Sequence, residues 1–191
     1  MPLSDAQIQA HVLRASESLQ ALQDEFGRDN VPAARVRFPR GFIRTVGTIR
    51  ATLPNLGTEL QRRNACYSLM QLDVLRWLLV RTDISGTALS MTVKQGIVIL
   101  GGLCEWLTRE ATHGHGSKRK FEIRTERLIG LGVIDQALKT ELDWVWEMRC
   151  NAHIGEVEHL EHSLYRRDDY NRARTAYASF RDALVEVYGT P

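Results

Sequence analysis

The stretch MTVKQGIVILGGLCEWLT, residues 91–108, decides how this chain folds. Apolar residues occupy nearly every side of a helix drawn through its middle, and only Lys94 and Glu105 are charged. A helix that is apolar all round belongs in an interior. Residues 87–112 are therefore expected to form the central, most buried helix of a bundle. The longest uncharged run, residues 95–104, is well short of the roughly 20 residues that span a bilayer, and no membrane association is expected.

The flanking segments also read as helices. Before it, residues 58–80 hold RRNACYSLMQLDVLRWLL (62–79), with Leu69, Met70, Leu72, Leu75, Trp77, Leu78 and Leu79 as apolar positions. After it, HGHGSKRK (113–120) reads as a basic loop, and a short helix covers about 124–131. Asp135 then caps a helix through DQALKTELDWVWEMRCNAH (135–153), with a core stripe at Leu138, Leu142, Val145, Met148 and Ala152. A last helix over 170–188 turns Ala173, Tyr177, Phe180, Leu184 and Val187 inward.

Toward the N-terminus, a helix over 41–52 presents Phe42, Val46 and Ile49, with Leu53 just beyond, and residues 27–40 read as a loop. Ile8, Val12, Ala15, Leu19, Leu22 and Phe26 recur at spacings of four and three, one stripe along a first helix. Ser4 with Gln7 forms a capping-box start and Gly27 a stop. The preferred reading packs this stripe on the core; a two-helix seam with another chain fits the same spacing. No window alternates like a strand, so the expectation is a single all-α domain of six or seven helices.

The 191 residues carry 25 Lys plus Arg against 23 Asp plus Glu, a net charge of +2. That excludes a polybasic nucleic-acid coat, so any nucleic-acid function must come from local charge. The opening MPLSDAQIQAHVLRASES has no charged leader followed by an apolar block, unlike a secretory signal. Three cysteines, Cys66, Cys104 and Cys150, form no CxxC pair and read as reduced thiols of a cytoplasmic protein.

The cluster Glu147-Met148-Arg149-Cys150-Asn151-Ala152-His153 carries the most suggestive chemistry. If the helix runs to His153, Arg149 and His153 lie at i and i+4 on one face. Trp146 can wall one side of a small cleft beside them, with Glu147 as support. Arg offers a planar fork that matches phosphate oxygens, and His titrates near neutrality. With the amide of Asn151, these groups suffice to cleave a phosphodiester through an internal hydroxyl, without a metal or other cofactor. The same residues also suit a plain helix C-terminus, where cations interact favourably with the dipole.

The order RRNACYSLMQLDVLRWLL, KQGIVILGGLCEWLT, LIGLGVID and MRCNAHIG resembles the HEPN superfamily over about residues 60–190, with residues 1–57 as an N-terminal helical extension. In that family an all-α bundle places an Arg and a His at the end of a late core helix. Here the spacing between Arg149 and His153 is shorter than usual, and Asn151 sits one place later than the family's Asn. The resemblance implies a metal-independent endoribonuclease of toxin–antitoxin or phage-defence type, or a non-catalytic module of the same fold that binds protein or nucleic acid. His153 is then the general base for a ribose 2′-hydroxyl or the acid for the leaving oxygen. Arg149 stabilises the phosphate charge, and Asn151 orients substrate or His153. Glu105 is expected to pair with Arg149 or to fix His153. The family's sites commonly face each other across a homodimer, and a cognate antitoxin protein is the implied partner beside RNA.

Local charge supports an RNA partner. Arg35, Arg37, Arg40, Arg44 and Arg50 occur without an acid between residues 31 and 57, and Phe38 and Phe42 are interleaved for base stacking. Lys118, Arg119 and Lys120, with Arg124 and Arg127, form a second basic group. The histidines and acids at 113–115 and 153–162 lack an HExxH pattern, and no metal site is expected. Phosphate-binding GxxxxGK[ST], dinucleotide GxGxxG and GxSxG motifs are all absent.

Overall fold

In the computed structural model, which describes residues 2–113, 120–152 and 164–191, the central apolar segment forms helix α4 (Gly86–Ala111). Before it come α1 (Asp5–Phe26), α2 (Val46–Arg50) and α3 (Glu59–Arg81). After it come α5 (Phe121–Gly130), α6 (Gln136–Cys150) and α7 (Arg167–Tyr188). The chain is all-α, with seven α-helices and no strand among the described residues.

The chain divides into two compact units, Met1–Arg40 and Gly41–Pro191, so α2 belongs with the bundle and not with the N-terminal extension. In the first unit, α1 starts at Ser4, whose side chain accepts from the Gln7 N–H while the Gln7 side chain accepts from the Ser4 N–H. It stops at Gly27, at φ 55°. None of its residues is buried. Ile8, Val12 and Leu19 are about half exposed. A 3₁₀ turn, Pro32–Ala34, interrupts the loop that follows.

In the second unit α4 touches α3, α5, α6 and α7. Val93, Ile97, Leu100, Cys104 and Leu107 are fully buried along it, as the apolar sequence requires. Two of its glycines receive side chains from its neighbours. A Cβ at Gly96 would lie 2.8 Å from the Tyr170 ring, and one at Gly101 would lie 2.8 Å from Cδ of Arg149. By length and composition α4 also meets the requirement for a membrane-crossing helix, which the count of uncharged residues alone did not indicate. In this fold the surrounding helices bury 39% of its apolar 18-residue window.

Local interactions account for the shifted ends. Helix α2 is shorter than expected because the residue before its Thr45 cap is held by Asp73, whose carboxylate accepts from the Arg44 N–H and guanidinium. Helix α5 begins earlier because Phe121 is buried and stacks on Trp146 at 4.8 Å. Helix α7 begins at Arg167, with the Arg166 N–H donating to Asp169 and the Arg167 guanidinium donating to the Leu79 carbonyl at the end of α3. Val187, expected inward, is exposed near its C-terminus.

Candidate functional site

Helix α6 owes its start to Asp135, whose carboxylate accepts from the Leu138 N–H at 2.7 Å, and its seating to buried Leu142 and Val145. It ends at Cys150. The Asn151 N–H donates to the Glu147 carbonyl, and Ala152 closes a turn on the Arg149 carbonyl. The helical i, i+4 arrangement of Arg149 and His153 needs a helix through His153, and α6 does not extend that far. His153 itself lies outside the described residues, as do Lys118, Arg119 and the acids and histidines of 153–162.

Arg149 is held on three sides. Its Nη2 lies 3.0 Å from Glu105 Oε2, its Cζ lies 4.6 Å from the centre of the Trp146 ring, and its stem crosses Gly101. The expected partnership of Glu105 with Arg149 is thus present. Glu105 also meets Arg109 at 3.3 Å, so one carboxylate serves two guanidinium groups. The Arg149 side chain keeps 28% of its surface open, neither sealed in the core nor free. Asn151 is exposed beside it, and Glu147 is exposed on α6.

Below this group, Arg124 is 3% exposed, donates to Thr108 Oγ1 at 3.2 Å and lies over the Phe121 ring. Burial lowers its pKa and the nearby Glu105 charge opposes that shift. Arg124 is therefore an interior cation, a correction to its place in a surface patch. Lys120 and Arg127 remain exposed.

The hollow next to α6, about 620 Å³, brings Trp144, Trp146 and Cys150 together with Glu122, Asp143 and Glu147. Its one arginine among the described residues, Arg172, lies 4.0 Å over the Trp144 ring and is already bonded to Glu141 at 2.7 Å. This face is acidic, the opposite of what an RNA strand needs.

Of the first basic patch, Arg35, Arg37 and Arg40 are exposed in the N-terminal unit, with Arg35 donating to Asn30 at 2.8 Å. Arg44 belongs to the bundle and is committed to Asp73 through two guanidinium bonds of 3.0 and 2.9 Å. That bonding raises its pKa against the opposing effect of burial. Its primary role is therefore to fix the chain before α2.

No disulfide joins the cysteines, and burial pushes the Cys104 thiol up to about 12, far from nucleophilic. No group of three or more His, Cys, Asp or Glu suited to a metal occurs among the described residues. One arrangement escaped the sequence reading: Tyr170, Arg174, Tyr177 and Arg181 fall on one face of α7 and, with Arg44 and Arg76, line a cleft. Their spacing of four, three and four was legible; the approach of Arg76 from α3 was not. Comparisons with family models, with curated proteins and with solved structures give no match for this chain.

Proposed function

We propose that the chain is a HEPN-like, RNA-directed protein, a metal-independent endoribonuclease of toxin–antitoxin or phage-defence type, working as a cytoplasmic homodimer. The observation that supports this reading is the posture of Arg149. A guanidinium clamped by Glu105, Trp146 and Gly101, yet partly open to water, is oriented in advance for an incoming phosphate. In the proposed reaction Arg149 takes up the charge that grows on the phosphate oxygens. His153 removes the 2′-hydroxyl proton, and Asn151 positions the ribose. The 2′-oxygen attacks phosphorus, the 5′-oxygen leaves with a proton, and a cyclic phosphate results. RNA is cut and DNA is spared. Lys120 and the exposed arginines of residues 35–40 supply non-specific phosphate attraction.

A second reading has its own support. Glu105 already neutralises Arg149, and the adjoining hollow is acidic. Both suit a non-catalytic module that binds a partner protein such as an antitoxin. Incubation of the purified protein with RNA in excess chelator separates the two. Cleavage that leaves a 2′,3′-cyclic end and disappears in His153→Ala and Arg149→Ala, with helical circular dichroism unchanged, supports the nuclease. Intact RNA at every protein concentration leaves the module. Cleavage that persists undiminished in both variants removes the pair from the mechanism.

A further inference from the structure

A cleft of about 390 Å³ opens between α3 and α7, away from the Arg149 group. Tyr170 and Tyr177, at 3% and 4% exposure, are among its lining residues. Both hydroxyls are buried and have no hydrogen-bond partner among the described residues. The Tyr170 ring is fixed against Gly96 of α4, so its hydroxyl cannot swing out to water. A buried, unsatisfied hydroxyl is costly, and natural interiors keep few of them. Arg174 and Arg76 act on the Tyr170 hydroxyl, which borders the cleft's charge, whereas the Tyr177 hydroxyl interacts first with Cys104 in the core.

The surrounding charge indicates which acceptor the Tyr170 hydroxyl takes. Arg44, Arg76, Arg174 and Arg181 line the cleft against Asp73 and Asp182, an excess of two positive charges. Asp73 and Asp182 engage Arg44 and Arg181. Arg76 and Arg174 have no carboxylate partner among the described residues, and both act electrostatically on Tyr170. Burial raises the pKa of both phenols, so they stay protonated and able to donate. Thr175 and Ser179 add hydroxyls, while Leu69, Leu72 and Ala178 give the cleft an apolar side.

We infer that this cleft binds a phosphomonoester, its phosphoryl group bonded by Arg76, Arg174 and the Tyr170 hydroxyl and its organic part against Leu69 and Leu72. A phosphomonoester carries roughly −1.5 to −2 charges at neutral pH and three acceptor oxygens, which matches the excess charge and the donors. A backbone phosphodiester, with one charge, leaves half of that excess unbalanced. The volume lies within the roughly 300–1,000 Å³ of small-molecule sites. The source of the phosphoryl group is either a free small ester or the phosphorylated end of an RNA.

Calorimetric titration of the full chain tests this with inorganic phosphate, phenyl phosphate, phenyl sulfate, and a short RNA with and without a 5′-phosphate. Phenyl phosphate is expected to bind at least about tenfold more tightly than the singly charged sulfate. Arg76→Ala and Arg174→Ala, both exposed changes, each weaken it about tenfold or more. Tyr170→Phe weakens it about tenfold while the unliganded melting temperature stays level or rises, because an unpaired hydroxyl has been removed. Preference for the 5′-phosphorylated RNA over phenyl phosphate assigns the phosphoryl group to an RNA end; the reverse assigns it to a free ester. No saturable binding of any phosphoryl ligand, equal binding of the sulfate, or affinity unchanged in the arginine variants or in Tyr170→Phe overturns the proposal. Arg149 lies outside the cleft's lining, so loss of RNA cleavage in its variant is a separate result.

Discussion

Helices α1 and α4 are of similar length, 22 and 26 residues, and both carry an apolar pattern that identifies them as helices from sequence. In α4 the pattern wraps the cylinder and ten residues are buried; in α1 it is a single stripe and none is. The ends of α1 are well made, with a reciprocal box at Ser4 and a glycine stop, so local rules alone account for its helicity. For α4 the reverse holds: Ser85 makes no side-chain capping bond, and the neighbouring helices hold the element. Periodicity states which face is apolar. It does not state what covers that face.

The largest expected effect tests that contrast directly. Leu100→Ala empties a fully buried position and should cost about 2–5 kcal/mol in denaturant unfolding. Leu19→Ala, at a half-exposed site on α1, should change stability by no more than about 0.5 kcal/mol. Equal losses would mean that the α1 stripe is covered in solution as thoroughly as α4.

A smaller pair of changes sharpens the account of α4. Gly96→Ala pushes a methyl group toward the Tyr170 ring and should destabilise by about 1–3 kcal/mol. Gly102→Ala meets nothing within 4 Å and should stabilise by about 0.5–1 kcal/mol through helix propensity. Melting temperatures that move in the same direction would show that the close approach of α7 to α4 does not govern the seating of this helix.

The all-α architecture was legible because helical periods and caps are local signals, and α3, α4, α6 and α7 lie close to their expected bounds. The candidate site was legible in part. Glu105 with Arg149 could be anticipated because two adjacent core helices offered one acid and one arginine on inward faces. Arg44 could not be read as structural, because its partner Asp73 lies 29 residues away on another helix. Arg124 misled because it follows a basic run, while its neighbours Phe121, Thr125 and Leu128 are all buried. The end of α6 at Cys150 was hidden because the apolar stripe continues to Ala152.

The smallest effect contrasts the charged surfaces of the two units. Hydrogen bonds from Arg172 hold the Glu141 carboxyl below its ordinary value of 4.5. Because the folded value is the lower one, the stabilisation is complete above 4.5 and is lost as pH falls through the folded value. Glu141→Gln should slightly flatten the acid limb of melting temperature against pH, as befits an exposed pair. Among the described residues α1 makes no comparable ion pair. An acid limb as steep in Glu141→Gln as in the parent chain would remove this pair from the account.

The packing of α7 on α4 has a consequence for biosynthesis. A ribosome delivers α4 long before α7, and α7 is the helix with which α4 makes its most extensive contact. Until that later segment emerges, one flank of the greasiest helix in the protein stays bare in the crowded cell. A nascent chain in that condition is a client for holding chaperones, and translational pauses between the two segments lengthen its exposure.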